Sequence, residues 1–174
     1  LPSVPDRAQL GGHRDGVCGV AFLNDSGALL SASLDRTLRI WDVESGEVRQ
    51  TMTGHAKYLT SLAVTPDGQQ AATGAQDHDV ILWDLATAAQ TAVLKGHKDL
   101  VNAVAVNRDG SRLVSAGHDL SIRLWDLDSR KTLLQLGPHE APIQCLAWSP
   151  DDRLIAAGDD RGEVRLWQAA DGKL

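Results

Sequence analysis

Cysteine, phenylalanine, tyrosine and methionine are scarce in this chain: two, one, one and one in 174 residues. Cys18 and Cys145 stand far apart, and there is no Cys-x-x-Cys pair. A cysteine zinc site and a disulfide-knit secreted scaffold are thereby excluded. Two isolated cysteines with apolar neighbours read as reduced core residues. No apolar run approaches the roughly 20 residues of a membrane-spanning helix, so no membrane partner is expected. Positive charge is short as well: 17 Lys and Arg face 23 Asp and Glu, for a formal net charge of −6. Nucleic-acid binding needs a basic footprint, and the few aromatics form no basic-aromatic stripe. A phosphate loop, a nucleophile elbow, a dinucleotide fingerprint and a calcium-loop spacing are all absent. No cofactor and no metal are expected. The chain opens Leu1-Pro2-Ser3, without an initiator Met or a signal peptide. A removed start or a place inside a longer protein is the expectation, with the cytoplasm as compartment.

What remains is ordinary globular composition, 43% hydrophobic and 23% charged, enough for a packed core. Within it lies an internal repeat. Trp41, Trp83, Trp125 and Trp167 are spaced by 42 residues, and so are His13, His55, His97 and His139. A period near 40 points to a propeller or a solenoid. Each unit is written in strands. The first reads Val17 to Phe22, a turn at Asn24 to Gly27, Ala28 to Ser33, a turn at Leu34 to Arg36, Thr37 to Val43, then Glu47 to Thr53. These are short β-rich runs punctuated by Gly, Asn, Asp and Pro. No segment holds a helical period.

The pairs Gly12-His13, Gly54-His55 and Gly96-His97 open three units, and Trp41-Asp42, Trp83-Asp84 and Trp125-Asp126 end their third strands. On these motifs the sequence, from residue 11 to 174, resembles the WD-repeat (WD40) β-propeller family. The resemblance implies an all-β fold of four-stranded antiparallel blades around a central channel. In this frame residues 1–10 are an outer strand able to close a ring. Blade repeats follow at 11–53, 54–95, 96–137 and 138–174, the last lacking its own outer strand.

Each of the first three units also holds an Asp and a hydroxyl at fixed distances from the Trp: Asp35 with Ser31, Asp77 with Thr73, Asp119 with Ser115. His, Asp and Ser suggest a hydrolytic triad. Triplication at equivalent positions argues for structure instead. In the family the same residues form a hydrogen-bond chain in which Asp orients His, His meets the hydroxyl, and the hydroxyl meets the indole of Trp41, Trp83 or Trp125. The fourth unit keeps only His139 and Trp167, with Arg161 and Ala157 at the Asp and hydroxyl places. Asp159 or Asp160 is a substitute only by a register shift. This unit is therefore expected to lack the polar staple and to be the least stable. His78 and His118 lie beside the turn Asp and read as exposed turn residues.

The resemblance also implies a binding face at the channel mouth, where three positions per unit point. The first position gives Gly16, Tyr58, Leu100 and Pro142. The second gives Cys18, Thr60, Asn102 and Gln144. The third gives Leu34, Gln76, His118 and Asp160. An aromatic anchor among adaptable polar groups fits a protein or peptide partner. The expected function is a non-enzymatic protein-interaction scaffold. The alternative is a regulatory propeller segment of a larger signalling protein or enzyme. Three closures stay open: further blades in a longer native chain, a homodimer forming an eight-bladed ring, and a four-bladed monomer.

Overall fold

The computed structural model describes residues 9–23 and 27–174. Among them are fifteen strands and no helix. Unit one comprises β1 (Val17–Phe22), β2 (Ala28–Ser33), β3 (Thr37–Asp42) and β4 (Val48–Thr53). Unit two comprises β5 (Leu59–Val64), β6 (Gln70–Ala75), β7 (Val80–Asp84) and β8 (Ala89–Leu94). Unit three comprises β9 (Val101–Val106), β10 (Arg112–Gly117), β11 (Ile122–Asp126) and β12 (Thr132–Leu136). Unit four comprises β13 (Ile143–Trp148), β14 (Leu154–Asp159) and β15 (Val164–Gln168). Every unit is an antiparallel meander in chain order, with four strands in the first three units and three in the fourth. The proposed N-terminal strand falls mostly on residues 1–8, outside the described residues; Gln9 and Leu10 are not in a strand.

Backbone conformation repeats with the sequence. Positive φ recurs at Arg36, His78, Leu120 and Gly162 in the turn before the third strand, and at Gly46, Ala88, Arg130 and Gly172 in the turn after it. Glycine adopts this region without a steric cost, whereas the other side chains oppose it. The first strand of each unit carries a bulge, at Cys18, Thr60, Asn102 and Gln144. A bulge leaves one residue unpaired and re-aims its side chain.

In units one to three the second and third strands are largely buried because each unit lies against its neighbour, whereas β15 of unit four is mostly exposed. Three apolar clusters fill the joints. Between units one and two, Leu38, Ile40 and Met52 meet Leu59, Leu62 and Val64. Between units two and three, Val80, Leu82 and Leu94 meet Val101, Val104 and Val106. Between units three and four, Ile122, Leu124 and Leu136 meet Ile143, Leu146 and Trp148. The core of this protein is thus the space between sheets. Of the two cysteines expected there, Cys18 is half-buried against the first cluster, whereas Cys145 is exposed. Cys145 stands on the outer side of unit four, where no sheet covers it. Burial lifts the Cys18 thiol to about 11.

Candidate functional site

Each His sits in the loop leading into its unit, the hydroxyl in the middle of the second strand, the Asp on the following turn, and the Trp near the end of the third strand. Antiparallel pairing of the second and third strands brings hydroxyl and indole together. In unit one the Trp41 indole N–H donates to Ser31 Oγ at 2.7 Å. Ser31 Oγ lies 2.6 Å from His13 Nε2, and His13 Nδ1 lies 2.9 Å from Asp35. Unit two repeats this with Trp83 to Thr73 at 2.8 Å, Thr73 to His55 at 2.9 Å and His55 to Asp77 at 3.0 Å. In unit three the corresponding distances through Trp125, Ser115, His97 and Asp119 are 2.8, 2.7 and 2.8 Å.

One direction of donation satisfies every member. An indole can only donate, so the hydroxyl accepts from it and has its own proton left for His Nε2. The imidazole then carries its proton on Nδ1 and donates it to an ionised carboxylate. Each Asp also accepts the backbone N–H of the residue after the His: Arg14, Ala56 or Lys98. Burial alone would raise the pKa of Asp35, Asp77 and Asp119. The hydrogen bonds from Thr37, His55 and His97 and from these amides outweigh it and hold all three below the ordinary carboxylate range. Ser31, Thr73 and Ser115 are only 3%, 0% and 0% exposed. A nucleophile needs an open approach and a free lone pair, and here the indole occupies that side.

Unit four corrects the expectation of a missing staple. Ala157 leaves no hydroxyl, and the Trp167 indole donates directly to His139 Nε2 at 3.3 Å. His139 Nδ1 lies 3.5 Å from Asp159, which takes the carboxylate role two residues ahead of Arg161. Asp159 also accepts the backbone N–H groups of Arg161 and Glu163. The doublet Asp159-Asp160 was the only sequence signal for this. Burial pushes the His139 pKa down, with Arg165 adding to the effect against the pull of Asp159. Arg161 instead forms an exposed ion pair with Glu140 at 3.0 Å.

The leading loops and the turns between second and third strands share one side of the molecule, called here the upper face. Its first and third candidate positions are joined in every unit by a backbone hydrogen bond: Leu34 to Gly16, Gln76 to Tyr58, His118 to Leu100 and Asp160 to Pro142. The second positions behave differently. The Thr60 hydroxyl donates to the Val101 carbonyl, and the Asn102 amide to the Ile143 carbonyl at 2.9 Å. These two bulge residues stitch one unit to the next and do not stand free. Cys18 points its thiol at the Ala32 carbonyl of its own unit, and Gln144 is exposed. His78 and His118 are half-buried, not exposed.

Between the turn of unit one and the leading loop of unit two lies a cleft of about 380 Å³ lined by Arg36, Ala56, Lys57, Tyr58 and Gln76. Tyr58 is 47% exposed there. Arg36 and Lys57 were not among the expected face residues; Arg36 lies two positions after Leu34 and Lys57 one before Tyr58, so the same 42-residue register, widened by that much, would have found them. No group of three His, Cys, Asp or Glu able to hold a metal occurs among the described residues.

Fold and polar chains together define a repeat protein of propeller-type blades, each pinned by a buried His–Trp link. The WD domain, G-beta repeat family matches residues 6–42, 46–84, 88–126 and 130–168. The chain belongs to that family, whose members generally serve as protein-interaction scaffolds. It is similar to the nuclear distribution protein PAC1 of Arthroderma benhamiae and of Trichophyton verrucosum, 42% identical to each over 57 residues. Those matches cover 33% of this chain and 12% of either relative. No described helix is long and apolar enough to cross a membrane.

Proposed function

We propose that this protein is a non-enzymatic interaction scaffold that holds a protein or peptide partner on its upper face. The observation that carries the reading is the cleft at Tyr58. An exposed ring offers an anchor of the kind that dominates interfaces, and Arg36 and Lys57 flank it in a chain whose overall charge is negative. Leu34, Leu100, Gln76, His118 and Asp160 extend the same face. This charge pattern favours a segment carrying Asp or Glu beside an apolar residue. Two unpaired cysteines suit a reducing compartment, the cytoplasm.

Selection of a random linear peptide library on the immobilised chain tests the reading. Acidic sequences should be enriched, and Tyr58→Ala should weaken the selected peptide by at least about 1 kcal/mol without unfolding the protein. Binding unchanged in a Tyr58→Ala, Leu100→Ala double variant would move the partner to the rim or to the other side.

A second reading is favoured by the exposed apolar residues on the outer sides of units one and four. The four units are then one part of a propeller that further blades complete, from a longer chain or from a second copy, and the whole regulates a larger assembly.

A further inference from the structure

The outer sides of units one and four carry the two halves of a joint that this molecule already makes three times. On unit one, Val17, Val20 and Phe22 are 51%, 65% and 66% exposed. Their equivalents 42, 84 and 126 residues on are Leu59, Leu62 and Val64; Val101, Val104 and Val106; and Ile143, Leu146 and Trp148. Each of those trios is packed into an apolar cluster. On unit four, Val164 and Leu166 are 72% and 52% exposed. Their equivalents Leu38 and Ile40, Val80 and Leu82, and Ile122 and Leu124 are the other halves of the same three clusters.

Polar groups repeat the pattern. The bulge aims Thr60 and Asn102 across their joints at the carbonyls of Val101 and Ile143. Gln144 occupies the same bulge on unit four and is exposed. By register its acceptor is a carbonyl at the place of Val17. The apolar residue that the outer strand brings to each joint is Met52, Leu94 or Leu136, and Leu10 holds that register position ahead of unit one. Leu10 already lies where this role needs it: a Cβ on Gly46 would come 3.7 Å from it, and one on the equivalent Gly172 falls against Leu136.

We infer that a second copy of this chain docks head to tail, unit one of each copy against unit four of the other, closing a ring of two. Val164 and Leu166 then pack on the partner copy's Val17, Val20 and Phe22, and the Gln144 amide donates across the joint. The inference rests on the reading of the units as stacked blades and is independent of the peptide cleft. The contact is heterologous, and using it twice closes the assembly. Continuity with three existing joints argues for a copy of the same surface over an unrelated partner.

Sedimentation equilibrium of the chain, with Phe22→Arg and Leu166→Asp variants, tests the inference. The unmodified chain should run at twice 18.6 kDa. Each variant alone should run as a monomer with its circular dichroism intact, because every joint contains one altered residue. Mixed in equal amounts, the two variants should pair again, since one joint is then unaltered and the other sets Arg against Asp. Cys145, whose equivalent Ala103 is buried in a joint, should react with a thiol reagent at least tenfold more slowly in the pair than in either variant. Gln144→Ala should weaken pairing several-fold, and Tyr58→Ala should leave the mass unchanged while removing peptide binding. A chain that stays at 18.6 kDa at every concentration hands the two faces to another partner and overturns the inference. So does a pair that survives both substitutions, a series of ever larger species, or a mixture that fails to pair.

Discussion

A buried indole has one donor and no acceptor, and that single constraint orders each His, hydroxyl and Asp around it. Removing a member strands the others. His55→Ala or Asp77→Ala should cost about 1–3 kcal/mol in urea denaturation, the penalty of an unpaired buried polar group. Arg161→Ala should cost about 0.5 kcal/mol or less, because its ion pair with Glu140 is exposed. Asp159→Ala should lower the urea midpoint more than Arg161→Ala does. The reverse order would mean that Asp159 does not hold His139 in unit four. Acid acts on the same residues. Asp35, Asp77 and Asp119 titrate lower in the folded chain than in the unfolded one. The stability they contribute is present above pH of about 4 and lost as pH falls below it. His139 is also depressed, from an ordinary value of 6.5. A base that resists protonation when folded destabilises the fold as pH drops below that value. Denaturation midpoints from pH 8 to 3 should therefore show a shallow early loss below pH of about 6.5 and a steeper one below pH of about 4. Asp119→Asn should flatten the second.

At the scale of the element, the strand pattern was readable almost to the residue. The third strand of unit one was expected to run to Val43 and ends at Asp42, and the fourth was expected from Glu47 and starts at Val48. Turn residues and alternating apolar runs are local signals, so they survive without knowledge of the neighbours. The bulges were not readable, because no residue type marks Cys18, Thr60, Asn102 and Gln144 alike. Hence Thr60 and Asn102 were expected on a free face although each crosses to the next unit. One turn position offers a direct test. Ala88 holds φ of 53° where Gly46 and Gly172 occupy the same place. Ala88→Gly should remove the steric cost and raise the melting temperature by about 2–3 °C, a gain of roughly 0.5–1 kcal/mol for a chain of this size. A lower melting temperature would mean that the flexibility added to the unfolded chain outweighs the strain relieved.

For the whole molecule, the joints set where stability resides. Units two and three are packed on both sides, and units one and four on one side each. Stacked repeats exchange stability mainly with their neighbours. Amide exchange in the Leu166→Asp variant should accordingly be slowest in β6, β7, β10 and β11 and fastest in β15, with β15 gaining protection when the unmodified chain assembles. Uniform protection in the variant would place the stability within each sheet instead of between sheets. The sequence alone determined the period, the strand order, the all-β class and the His, Asp, hydroxyl and Trp positions of three units, because each rests on residue type at a fixed spacing. Tertiary structure decided what spacing cannot encode. It decided that Asp159 serves His139 from a shifted register, and that bulged side chains at Thr60 and Asn102 reach across a joint. It also decided that Val20, Phe22, Val164 and Leu166, whose equivalents are packed inside, face outward on the end units. In each case the deciding partner belongs to another strand or another sheet, and its distance is set by how whole units pack together.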